Sequence, residues 1–144
     1  MTEYTCFIFR KVGEHIEFVL TDINPGKYLA PVIDIDENNE EALKNFLNQM
    51  EELGLRIKDP DQHIVPFGKD WKKNKACMLV RVDIFPLRFP MELHVREIQE
   101  VFNNIDHSQG LQFYKMIEKL QQYSLFKKMD LEFFQKLDDL RKVK

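Results

Sequence analysis

The sequence predicts a single α/β domain, and three observations carry that expectation. Two β-rich runs, YTCFIF and HIEFVL, open the chain, an amphipathic helical pattern follows over residues 39–53, and the apolar run CMLVRVDIF comes after it. With 144 residues, 44% of them hydrophobic and 12 of them phenylalanine, the chain can fill one sizeable core. No internal repeat, low-complexity tract or Gly/Ser-rich linker divides it.

Taken in order, the first two runs are separated by RKVGE, where Gly13 supplies turn flexibility, and they read as a β-hairpin. Asn24-Pro25-Gly26 is a strong turn signal. The following KYLAPVIDID is apolar enough for a short strand or an ordered loop, and Pro31 argues against a long central strand. Between residues 39 and 53, Leu43, Phe46, Leu47, Met50 and Leu53 recur at three- and four-residue steps, which puts them on one helical stripe. Gly54 then stands where a helix C-cap belongs.

The breaker- and charge-rich segment KDPDQHIVPFGKDWKKNK reads as a loop with at most a short strand at residues 63–67, and CMLVRVDIF as a buried strand. Pro86 and Pro90 bracket a turn. ELHVREIQEV fits either a strand or a helix at its length, and the strand is the reading adopted. From Ser108 onward the pattern is helical. Leu111, Tyr114, Met116, Ile117 and Leu120 gather on one side of a first helix, and Leu131, Phe134, Leu137 and Leu140 on one side of a second, which forms an extension from about residue 124.

A formal net charge of −3 gives the whole molecule no positive field for a phosphate backbone or an anionic bilayer, so general nucleic-acid binding is disfavoured. No apolar stretch approaches the roughly 20 residues of a membrane helix, and the N-terminus shows no basic leader; a soluble cytoplasmic protein is expected. Cys6 and Cys77 each sit in an apolar run, without a CxxC pair, and read as buried free thiols of a reducing compartment. His15, His63, His94 and His107 share no metal-ligand spacing, and no phosphate-cradling glycine motif or nucleophile elbow is present.

The stretch EEALKNFLNQMEELGL raises a more specific expectation. Its ending, Glu51-Glu52-Leu53-Gly54-Leu55, resembles the tail of the Nudix box, G-x5-E-x7-R-E-U-x-E-E-x-G-U, where U is a bulky aliphatic residue. Upstream the pattern departs: Leu47 stands at the Arg position, Asn48 at the first Glu of the cluster and Gln49 at the aliphatic position. The opening Gly and Glu fall on Ile33 and Asn39, and a one-residue shift would bring Glu40 to the latter. Tyr28-Leu29-Ala30-Pro31-Val32-Ile33 is similar to the W-x-L-P-G-G stretch of many Nudix domains in its aromatic and proline but lacks both glycines. The order of elements from residue 3 to about 120 adds to the resemblance.

The resemblance implies a Nudix-like α/β/α sandwich with a mixed sheet, here with additional C-terminal helices. It implies a pyrophosphohydrolase site in which helix carboxylates hold Mg²⁺, so that Asn48, Glu51 and Glu52 are the expected metal ligands and Glu51 and Glu52 the expected catalytic acids. Exchanging one carboxylate for the Asn48 amide, and the orienting Arg for Leu47, implies attenuated or lost hydrolysis and weakened Mg²⁺ binding. Tyr28 and Trp71 are the expected substrate-binding aromatics, for a nucleoside diphosphate linked to another moiety.

Two competing readings remain open at this point. Glu51 and Glu52 also fit a solvated helix face. A non-enzymatic interaction module could reuse the fold, contacting a protein partner through its C-terminal helices, where Phe133 and Phe134 are adjacent, or through the Trp71 loop. The run of four lysines around Trp71 fits a solvated hairpin loop or a contact to phosphate or a base.

Overall fold

An unbroken buried run from Tyr4 to Phe9 along the first strand sets up the architecture. In a computed structural model, which describes residues 1–122 except Glu14, Pro25, Gly26 and Met91, β1 (Thr2–Val12) lies at the middle of a mixed sheet. Successive side chains of a strand point to opposite faces. Tyr4, Cys6 and Ile8 therefore enter one core layer, and Phe7 and Phe9 the other.

β2 (His15–Asn24) returns antiparallel to β1 through the turn at Gly13, whose φ of 61° suits a residue without Cβ. β3 (Lys27–Leu29) pairs with β2, and β4 (Val32–Ile35) pairs antiparallel with the first residues of β1. The chain thus breaks at Ala30-Pro31, as the proline predicts. α1 (Ala42–Glu52) crosses one face of the sheet. A one-turn helix, α2 (Pro60–His63), leads to β5 (Ile64–Asp70), which pairs antiparallel with β6 (Lys75–Arg81). β6 runs parallel to β1 and is buried along almost its whole length. β7 (His94–Glu97) pairs with β2, and α3 (Ile98–Asn104) and α4 (Gly110–Gln122) cover the second face. The path β3-β2-β1-β6-β5, with β4 on β1 and β7 on β2, gives seven strands among the described residues, flanked by helices on both faces: the expected α/β/α sandwich.

Four local expectations are refined. β5 is a full strand of seven residues, because it lies at the sheet's edge, where Pro66 costs no ladder bond on the open side and Gly68 (φ 60°) takes up the register shift after Phe67. ELHVREIQEV is strand and then helix, turning at Glu97/Ile98. In α1 the stripe buries only from Phe46: Leu43, in the first turn after the exposed residues 36–41, is 48% exposed. In α4, Leu111 is 58% exposed, and Phe113 joins Met116, Ile117 and Leu120 in the core instead.

Cys6 and Cys77 are both buried and free. Thr5 pairs with Cys77 across β1 and β6, so the two thiols project to opposite faces of the sheet and cannot join. The second C-terminal helix, with Phe133 and Phe134, lies outside the described residues. Among the described residues no helix is long and apolar enough to cross a membrane.

Candidate functional site

The Glu-Glu-x-Gly-Leu tail has a firm local explanation. Gly54 takes φ 84° and its N–H donates to Glu51 O at 2.9 Å, while Leu55 N–H donates to Met50 O at 2.9 Å. This pair of bonds is the Schellman ending, which calls for glycine at the left-handed position and an apolar residue after it. Leu55 is fully buried with Phe46 and Met50, and each such side chain contributes roughly 1.5–3 kcal/mol by leaving water. Leu53-Gly54-Leu55 is therefore what the fold needs to end α1 against the sheet. The two glutamates have no such role. They are exposed in the last helical turn, where no basic residue stands and the helix dipole disfavours negative charge.

At this end of α1 lies a cleft of about 470 Å³, within the range of small-molecule sites. α1 contributes Gln49, Glu52 and Leu53, residues spaced to share one helical face. Residues 29–33 form the opposite wall, with Thr21 from β2 and Leu93 from the segment before β7 closing it. The lining is mostly apolar, and Glu52 is its single charge among the described residues.

The wall of residues 29–33 is held by backbone bonds that compensate for its lack of glycine. Cys6 N–H donates to Pro31 O at 2.8 Å, and Asp106 N–H to Tyr28 O at 2.8 Å. Between them, Ala30 N–H donates to Gln109 Oε1 at 2.7 Å, and Gln109 Nε2 donates back to Ala30 O at 3.1 Å. Gln109 is 5% exposed and Ala30 1%. Sequence reasoning missed Gln109, the buried last residue of the short 3-10 turn (His107–Gln109) that leads into α4, where a polar residue needs a partner.

The expected site residues separate into three places. Glu52 lines the cleft, whereas Glu51 and Asn48 are exposed and absent from its lining; Gln49 takes the place beside Glu52. Tyr28 is 5% exposed and packs in the core layer of α3 and α4; its hydroxyl donates to Glu100 Oε1 at 2.8 Å and accepts from Arg96 Nε at 3.0 Å. Trp71 is 76% exposed at the β5–β6 turn, beside Lys69, which pairs with Glu37. Glu37 follows β4 and precedes α1, so Trp71 is at the opposite end of α1 from Glu52. The eleven residues of α1 between the Glu37 segment and Glu52 span roughly 16 Å.

The donor set bears directly on a divalent cation. Glu51 and Glu52 stand with an amide, Asn48, and among the described residues no group of three His, Cys, Asp or Glu side chains gathers. Two carboxylates and an amide offer Mg²⁺ fewer charged oxygen donors than the box they resemble.

No protein-family model matches the sequence, and no curated protein matches it either. Among solved structures, the chain is similar to a Caenorhabditis elegans Ap4A hydrolase in a binary complex, at a TM-score of 0.54 and 13% identity, over 84% of this chain and 99% of the other. A further crystal structure of C. elegans Ap4A hydrolase matches at a TM-score of 0.50 and 16% identity, over 83% and 99%. At such identities the likeness is one of fold, and with a mixed sheet flanked by helices the chain has a Nudix-like α/β fold.

Proposed function

We propose that this protein binds a nucleotide-type small molecule, a nucleoside diphosphate linked to another moiety, in the cleft at the C-terminal end of α1, with pyrophosphohydrolase activity attenuated or lost. The observation that carries this reading is the meeting of Glu52 with residues 29–33 around one cleft. Both stretches carried the sequence resemblance, one as the loop leading into the box and the other as its tail.

The chemistry of the lining favours binding over hydrolysis. Leu29, Ile33, Leu53 and Leu93 suit the flat apolar faces of a base, and Thr21, Gln49 and Glu52 supply a few polar contacts to orient it. Polyphosphate is poorly served: among the described residues no Lys or Arg lines the cleft, and both Glu52 and the helix end above it are negative. Glu52 is the acid best placed to accept a ribose or amino hydrogen bond, with Glu51 beside it outside the lining. The similar structures are of an Ap4A hydrolase, which makes Ap4A and ADP-ribose the first ligands to offer.

Calorimetric titration with each, run with and without Mg²⁺, is expected to show saturable binding in both conditions and little product. Mg²⁺-dependent turnover on the order of 1 s⁻¹ or faster, the ordinary enzymatic range, contradicts attenuation, and absence of binding contradicts the cleft.

A further inference from the structure

The most exposed aromatic among the described residues has a built setting that the cleft does not use. Trp71 is 76% exposed, yet its ring is held: Lys69 Nζ lies 4.0 Å from the ring centroid, and Lys69 is itself paired with Glu37, which accepts from the Tyr4 hydroxyl. The turn beneath is also fixed. The Asp70 carboxylate accepts from Lys72 N–H at 3.0 Å and Lys73 N–H at 3.4 Å, Asn74 takes the left-handed φ of 51°, and Asn74 O accepts from Glu3 N–H at 2.9 Å. Lys72, Lys73 and Lys75 are exposed around it.

We propose that this hairpin tip is a docking site for single-stranded nucleic acid, with the open face of Trp71 stacking one base and Lys72, Lys73 and Lys75 meeting the flanking phosphates. A pre-positioned ring loses little freedom on stacking, and base–aromatic stacking next to a basic track is how strands are held without sequence preference. With Lys69 neutralised by Glu37, and Asp70 and Glu3 nearby, the local surplus of positive charge is small. The overall charge of −3 adds no attraction at long range. Binding is therefore local, salt-sensitive and modest in strength.

Trp71 is the only tryptophan of the chain, so its fluorescence reports on the site directly. Titration with a short oligo(dT) at low salt is expected to quench it saturably. The logarithm of the association constant should fall with the logarithm of salt concentration at a slope of about −2, the value for three phosphate contacts on a single strand. By anisotropy of a labelled oligo(dT), Trp71→Ala should weaken binding by about fivefold or more and Trp71→Phe should largely preserve it. Lys72→Glu with Lys73→Glu should weaken it and flatten the salt slope. All these positions are exposed, and unchanged circular dichroism confirms folding. Absence of quenching, equal affinity for dTMP, or unchanged oligo(dT) binding by Trp71→Ala each overturns the proposal.

Discussion

Gln109 and Ala30 satisfy each other completely: the side-chain amide of one donates to and accepts from the backbone of the other, both residues being buried. This bond pair fixes the wall of the cleft to the start of α4. The wall carries Val32 and Ile33 where a glycine-rich loop would turn freely, so its shape depends on such anchors.

Replacing Gln109 by Leu orphans a buried N–H and a buried C=O, each costing about 1–3 kcal/mol. The expected result is a clear loss of stability in urea denaturation, with amide exchange at Ala30 accelerated more than at Phe18 in the sheet centre. A variant with unchanged Ala30 exchange would show that the wall is held by Cys6 and Asp106 alone.

Gly54 offers a second test. Its φ of 84° is disfavoured for any residue with Cβ, and a Cβ there would stand 3.0 Å from Pro86 Cγ. Gly54→Ala should therefore destabilise by at least about 1–2 kcal/mol. Neutralising the adjacent Glu51 with Gln should act in the opposite sense, raising Tm slightly, since negative charge at a helix C-terminus is unfavourable. Equal losses at both positions would contradict the separation of capping residues from functional ones.

The link from Glu37 to Lys69 and Tyr4 is read through pH. Hydrogen bonds from Lys69, then from Tyr4, hold the Glu37 carboxyl below its ordinary value of 4.5. A carboxyl that ionises more readily when folded adds stability above its unfolded value and loses it as pH falls through its folded value. The Tm difference between the protein and Glu37→Gln should thus be present at pH 6, begin to shrink as pH falls below the ordinary carboxyl value of 4.5, and vanish once the solution is more acidic than the lower folded value. A difference that persists into acid would assign the effect to packing instead.

Burial pushes the Cys6 thiol up to about 12, with Cys77 a lesser cause, and the Cys77 thiol up to about 11 despite the opposing charge of Lys115. Thiolate is the reactive form, so neither residue should react with a disulfide reagent at pH 8 until the protein unfolds. Rapid labelling of the native protein would contradict the packing of β1 against β6.

Much of the fold was legible because its period was unambiguous. The hairpin, α1 from Phe46 to Leu55, and the buried strand β6 follow directly from steps of two or of three and four residues. β5 was harder, since Pro66, Gly68 and flanking charges mimic a loop and only an edge position tolerates them. ELHVREIQEV satisfied both periods and proved to contain both elements. Of the candidate site, Glu52 was singled out from the resemblance, and the structure sets it in the lining of the cleft. Tyr28 was named without a direction, because an aromatic before a proline says nothing of which way it faces, and here it faces the core. Trp71 and Glu52 could be placed relative to each other only once the direction of α1 was known.

The central claim is that a nucleotide-type ligand occupies the cleft between α1 and residues 29–33. Amide and methyl NMR spectra recorded during addition of ADP-ribose test it most directly. The account predicts saturable shifts concentrated at Leu29, Ile33, Glu52, Leu53 and Leu93. Absence of shifts, or shifts confined to surfaces away from these residues, would contradict it.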